Sequence, residues 1–366
     1  MSAPKPHSWI MDLAAYVPGR AKVEGVKETV KLSANECTSG PSPKAVAAYT
    51  AAASQLLRYP DGGSTELREA IAGVYGLDAS RIICGAGSDD ILTVLIHAFA
   101  GPGDEVIFSQ YGFMVYPIQT KAVGATGVAV PNLKWAADVD GILKAVTAKT
   151  KLVFVDNPNN PTGAYLPMSE IERLHAGLPE HVVLVVDSAY AECVTAEDYD
   201  AGAKLVERST NVIMTRTFSK MYALAGLRVG WGYGGPAIID ALNRIRMPFN
   251  VNLPAQVAAV EAVKDQAHLA ESVAYNAEWR DKLTAELVAL GLDVVPSQTN
   301  FLLLGFPEES PFTAGEANTY LSERGYLLRW LPGMGLPNHL RLTIGAPHEN
   351  RTVVELLRAF LNGSPE

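Results

Sequence analysis

Between Arg58 and about Val251, short unbroken apolar runs alternate with helix-like stretches along this chain. The runs are Arg81-Ile82-Ile83-Cys84, Glu105-Val106-Ile107-Phe108, Lys151-Leu152-Val153-Phe154-Val155, Val182 to Val186 and Asn211-Val212-Ile213-Met214. Continuous runs, rather than strict alternation, suit strands buried on both faces. With helical spacing between them, as from Ser88 to Phe99, they predict an α/β domain with a mostly parallel central sheet flanked by helices. After Pro254 the texture changes. A long helical stretch, about Ala255 to Leu290, leads to Phe301-Leu302-Leu303-Leu304, then Leu340-Arg341-Leu342-Thr343-Ile344, then a last helix near Thr352 to Leu361. This predicts a smaller α+β domain. The expected division is an N-terminal arm at 1–34 packing on the smaller domain, a large domain at 35–254 and a small one at 255–366.

Polar or small residues follow each run at once: Gly85-Ala86-Gly87-Ser88, Ser109-Gln110-Tyr111, Asp156-Asn157-Pro158-Asn159-Asn160, Asp187 and Ser219-Lys220. Open parallel sheets bind ligands beyond the carboxyl ends of their strands, so these strand ends should converge on one crevice. Asp187 closes a buried run and needs a positive partner or a proton. Its ordinary reading is a helix cap. Lys220 follows another run, and small residues lead from it through Ala223-Leu224-Ala225-Gly226 to Arg228. A lysine amine can condense with an aldehyde, an acid can keep a pyridine nitrogen protonated, and an arginine fork suits a phosphate. Together the three residues fit pyridoxal 5'-phosphate.

The neighbouring blocks extend the same picture. Gly87 and Ser88 open a helix, where backbone N–H groups gather an anion. The spacing fails the dinucleotide pattern, because position 90 is Asp. Tyr111 can stack on a flat ring or simply pack the core. Asn157 to Gly163 is dense in turn formers; it reads as a rigid loop or as a fixed amide, Asn160, aimed at a ring oxygen. Tyr190, three residues past Asp187, is placed to reach that oxygen. Arg341, set in an apolar strand, and Arg329 in Leu327-Leu328-Arg329-Trp330 are suited to an anion or to structural ion pairs.

Composition removes alternatives. The chain has 366 residues, 48% hydrophobic, and a formal net charge of −9. No basic run is present, so nucleic acid is not expected as a partner. Its three cysteines, Cys37, Cys84 and Cys193, make neither a disulfide framework nor a metal spacing, which suggests the reducing cytoplasm. The histidines have no metal-ligand spacing, so no metal is expected. No apolar stretch is long enough to span a membrane, and no signal peptide is apparent.

In order, Leu32 to Glu36, Arg58-Tyr59-Pro60-Asp61, Gly87-Ser88-Asp89, Asn157 to Gly163, Val186 to Tyr190, Arg216 to Arg228, Thr299-Asn300-Phe301 and Gly335 to Gly345 form a recognisable series. In these blocks the chain resembles the fold-type-I pyridoxal phosphate aminotransferases, and among them the histidinol-phosphate aminotransferase family. The resemblance runs from about Tyr16 to Ala346. It implies that Lys220 carries the cofactor and moves the substrate Cα proton, that Asp187 pairs with the ring nitrogen, and that Tyr190 and Asn160 hold the ring oxygen. It also implies that Tyr111 stacks on the ring, and that Gly87, Ser88, Asp89, Ser219 and Arg228 surround the phosphate. Tyr59 would reach in from the second subunit of a homodimer. Arg341, assisted by Arg329, Asn35 and Tyr16, would clamp the substrate anion. The implied reaction takes histidinol phosphate and 2-oxoglutarate to imidazole-acetol phosphate and glutamate.

Two positions depart from the pattern: Cys37-Thr38 stands where Asn-Pro is common, and Ser188 where Glu usually follows the aspartate. The first leaves an aromatic aminotransferase open as an alternative. Others are a decarboxylase of an amino acid phosphate with the same fold, and a non-catalytic sensor, which would need a DNA-binding module that neither end of the chain has room for.

Overall fold

The computed structural model describes residues 4–13, 28–309 and 311–363. Its main sheet has seven strands in the order Ile82–Gly85, Gly230–Gly234, Val212–Thr217, Val183–Asp187, Thr150–Asp156, Glu105–Ser109 and Thr126–Val130. Gly230–Gly234 runs against both neighbours; the other pairings are parallel. The strands bury both faces. Val153, Val155, Leu184, Val186 and Met214 face one core, while Leu152, Phe154, Val185 and Ile213 face another with Ile91, Leu92 and Leu95 of helix Ser88–Phe99. Helices therefore cover both sides, as the unbroken apolar runs require.

Two strands were not expected. Thr126–Val130 lies at the sheet edge and is half exposed. Gly230–Gly234 reads Gly-Trp-Gly-Tyr-Gly, a composition poor in strand formers. The structure explains its glycines. A Cβ at Gly230 would run into the backbone nitrogen of Ser88 and the carbonyl carbon of Gly87. This strand must lie tight against the start of the helix at Ser88.

The smaller unit is a four-stranded antiparallel sheet, Arg329–Leu331, Leu336–Thr343, Phe301–Gly305 and Asp293–Val294. Leu302, Leu304, Leu340 and Leu342 bury one face against Leu283 and Leu287 of helix Gln266–Ala289 and Val353, Val354 and Leu357 of helix Pro347–Leu361.

Both expected limits of the large domain shift. The helical stretch beginning near Ala255 is two helices, Leu253–Lys264 and Gln266–Ala289. The first is capped by the Asn252 side chain and buries Ala255, Ala258, Ala259 and Val263 in the core of the larger unit. Helix Leu253–Lys264 therefore packs with the larger unit. The N-terminal arm is also divided. Helix Ser8–Met11 lies on the larger unit, with Trp9 Nε1 donating to the Ala122 carbonyl at 3.2 Å. Val30–Lys31 pairs with the smaller unit alongside Tyr326–Leu327, and Leu32 is buried in that unit's core.

Candidate active site

Asp187 and Asp156 end adjacent parallel strands in direct register, and Lys220 follows the end of the strand on the other side of Asp187. A single cavity gathers Asp187, Tyr190, Asn160, Ser88, Asp89, Ser219, Lys220 and Arg228, so the strand ends do converge.

Asp187 is 3% exposed. Tyr116 Oη donates to its Oδ2 at 2.7 Å and Thr215 Oγ1 to its Oδ1 at 3.1 Å. Burial pushes its carboxyl above the ordinary range, and these two donors pull against that rise. It is an acid that would gain from a cation beside it. Lys220 Nζ lies 3.3 Å from the Ala34 carbonyl and 5.5 Å from the centre of the Tyr190 ring. Burial, with the nearby Arg341 charge adding to it, brings the amine down to about 8. A substantial neutral fraction then exists near neutral pH, as a nucleophilic amine requires.

The anion cradle lies at the other end of the cavity. Arg228 has a left-handed backbone at φ +55°, and Gly87 has φ +97° at the start of the helix. Arg228 Nη1 donates to Ser219 Oγ at 3.3 Å, and Nη2 to Asp89 Oδ1 at 2.6 Å. A Cβ at Gly87 would run into that guanidinium and carboxylate. Glycine keeps the cradle open, and the helix N–H groups face into it.

Arg341 comes from the smaller sheet to meet Asn160, which lines the cavity. It donates to Asn160 Oδ1 at 2.5 Å and to the Ser33 carbonyl at 2.9 Å. Arg329 stands directly opposite it in the antiparallel register. Asn35 is buried, and its Nδ2 donates to Tyr190 Oη at 2.8 Å.

Among the described residues, Gly87, Asn35, Arg329 and Arg341 do not themselves line the cavity, and Tyr111 and Tyr59 pack elsewhere. Tyr111 packs with Trp135 and Met334, while Phe113 lines the cavity instead. Gln110 N bonds to Val130 O and Tyr111 N to the Asn132 side chain, which tie this stretch to the neighbouring segment. Tyr59 is 81% exposed and stacks on Phe249 at 4.5 Å, away from the cavity lining of its own chain. Tyr16 lies outside the described residues. Ser188 points into the core, donating to the Ala201 carbonyl at 2.8 Å. Sequence reasoning gave no role to Asp156, Phe113, Tyr116 or Thr215. Asp156 carried a signal, since it ends an apolar run just as Asp187 does.

Residues 27–360 match the family model described as aminotransferase class I and II. The chain is 52% identical over 362 residues to a histidinol-phosphate aminotransferase of Rhodopseudomonas palustris strain HaA2, covering 99% of each. It is also 52% identical to the strain TIE-1 protein of that name, over 100% of each. Among solved structures, histidinol-phosphate aminotransferase from Sinorhizobium meliloti in complex with pyridoxal-5'-phosphate superposes with a TM-score of 0.88 at 27% identity, over 99% of each chain. Aspartate aminotransferase from Thermus thermophilus with maleate matches at TM-score 0.80 and 26% identity, over 91% of this chain and 92% of that one. A parallel sheet whose strand ends meet at a buried lysine and aspartate, matched along nearly its whole length, makes this chain a member of the class I and II aminotransferase family.

Proposed function

We propose that this protein transfers the amino group of histidinol phosphate to 2-oxoglutarate, yielding imidazole-acetol phosphate and glutamate. The observation that carries the reading is Arg341 beside the cavity with Arg329 registered directly across from it. A guanidinium fork held at that place suits a phosphate ester and a dicarboxylate alike. The full-length relatives of that name support the same substrate.

Class I and II aminotransferases use pyridoxal phosphate, and the residues here fit it. A buried acid awaits a cationic nitrogen, and a glycine-lined cradle with Arg228 awaits a phosphate. When bound, this group supplies an electron sink for the bond-breaking at the substrate's amine-bearing carbon. Asp187 would hold the proton on its ring nitrogen. Tyr190 and Asn160 would hold the ring oxygen, and Phe113 would cover the ring face that Tyr111 does not reach. Ser88, Ser219, Arg228 and the backbone at Gly87 would hold the phosphate, with Asp89 orienting Arg228. Lys220 Nζ would accept the proton from the substrate Cα and return it on the other side of the transfer. Arg341, with Arg329 and Asn35, would fix the substrate anion in either half-reaction.

A homodimer belongs to this reading. Tyr59, Leu57, Leu56, Met247 and Phe249 are exposed together with the Tyr59–Phe249 stack, a surface suited to a second copy of the chain. Tyr59 would then serve the neighbouring site. The free cysteines suit the cytoplasm, and no helix among the described residues is long and apolar enough to cross a membrane.

The test is a half-reaction screen of cofactor-loaded protein with histidinol phosphate, phenylalanine, tyrosine and aspartate, following the visible absorbance of the bound cofactor. Histidinol phosphate is expected to bleach it fastest. Faster bleaching by phenylalanine or tyrosine would favour an aromatic aminotransferase. Release of carbon dioxide without glutamate on adding 2-oxoglutarate would mean a decarboxylase.

A further inference from the structure

Asp156 has no part in the chemistry above, yet it lines the same cavity, 6% exposed, with Asp187 beside it in register. Both of its oxygens are engaged. Oδ1 accepts from Asn159 Nδ2 at 2.9 Å, and Oδ2 accepts from the Asn160 backbone N–H at 3.0 Å. Asn159 Nδ2 also donates to the Tyr111 carbonyl at 2.7 Å, and Asn159 Oδ1 accepts from Thr162. The turn that presents Asn160 is thus hung from one carboxylate. The Asn160 side chain in turn meets Arg341 from the other unit at 2.5 Å.

We propose that Asp156 is a positioning residue for the substrate clamp: its ionised carboxylate fixes the Asn160 turn, which aims the Arg341 guanidinium at the incoming anion. The inference deepens the reading of Arg341 given above and rests on it. A neutral residue of similar shape cannot do this work, because two N–H donors need two acceptor oxygens.

The arrangement makes the clamp sensitive to protons. Burial above all, with the Asp187 charge adding and the Asn160 N–H opposing, pushes Asp156 up to about 7. Above that pH both oxygens accept. Below it, a proton occupies one oxygen, which becomes a weaker acceptor, so the bond to one of the two donors weakens. Among the described residues, the titratable or charged groups around it are Asp187 on the next strand, Tyr116 on helix Val115–Ala122, and Tyr190, Lys220, Asp89 and Arg228 in the cavity lining. Arg341 is linked to it by way of the Asn160 side chain.

The experiment measures KM for 2-oxoglutarate, whose carboxylates stay ionised, on cofactor-loaded wild type and Asp156→Asn between pH 6 and 8. In wild type, KM should rise by about tenfold as pH falls across that range, with kcat changing little. In Asp156→Asn, KM should be about tenfold above the wild-type value at pH 8 and nearly flat with pH. Hydrogen exchange at the Asn160 amide, read on cofactor-free protein and corrected for the intrinsic rate, gives a second readout. Asp156→Ala should abolish protection there while distant strand amides stay protected. Wild-type pH dependence retained in Asp156→Asn, or full Asn160 protection in Asp156→Ala, would overturn the proposal. If Asp156→Ala does not fold, the pH comparison alone decides. Wild type that ignores histidinol phosphate but uses another amine would sink the substrate reading and leave both measurements of Asp156 valid.

Discussion

Tyr116 donates its hydroxyl to Asp187 at 2.7 Å from a helix on the far side of the strand ends, and both side chains are buried. The aspartate is therefore already oriented before any cation reaches it. Tyr116→Phe removes a donor to this buried carboxylate and leaves Thr215 and the Ala189 backbone N–H. The aspartate's pKa should rise further, and cofactor affinity should fall by about three- to tenfold. Titration of cofactor-free protein by absorbance checks this. An unchanged affinity would mean that the remaining donors suffice.

Lys220 gives two separable outcomes. Lys220→Ala should lower turnover by at least about a thousandfold, through loss of both the nucleophile and the proton carrier. In cofactor-free protein the effect on stability should run the other way. The folded pKa, about 8, lies below that of the unfolded chain. Below about 8 the native state must hold a buried charge, so this penalty on stability is fully present there. It fades as pH rises toward the unfolded value. Lys220→Met should therefore melt a few degrees higher than wild type at pH 7, with the gap narrowing toward pH 10. Calorimetry across that range decides it.

Arg341→Ala should raise KM for both the amine and the keto acid by about a hundredfold, with a smaller fall in kcat. Arg341→Lys should recover only part of this, because an ammonium lacks the fork that spans Asn160 and Ser33. An effect confined to one substrate would mean that the two anions sit on different residues.

Gly230→Ala tests the phosphate cradle without touching a polar side chain. The new methyl group has nowhere to go but into the Ser88 backbone nitrogen. Overpacking of this kind costs on the order of 2 kcal/mol and should loosen cofactor binding by tenfold or more. Denaturant melts and cofactor titration measure the two effects independently.

Much of this architecture could be read from residue order, for physical reasons. Strands such as Val183–Asp187 announce themselves because both faces are buried, so every position is apolar until the functional residue ends the run. The place of Asp187 at the end of such a run was legible for that reason. Gly230–Gly234 was not, because its glycines answer to the closeness of Ser88, a contact distant in sequence. Tyr116 was hidden inside an amphipathic helix, where an aromatic looks like packing. Phe113 was missed because the bonds that tie Gln110 and Tyr111 to the neighbouring segment are not written in the local pattern. The helix break at Asp265 was missed because a single residue separates two helical patterns, and only packing against Pro43–Ala52 and Thr65–Tyr75 tells them apart.

The Arg341 guanidinium grips chain segments near residues 33 and 160 while its own backbone belongs to the smaller sheet. Three stretches remote in sequence thus share one knot. Any ligand that draws those nitrogens toward itself must loosen or re-tie the knot, so occupancy of the mouth is felt as a mechanical tug by both halves of the molecule.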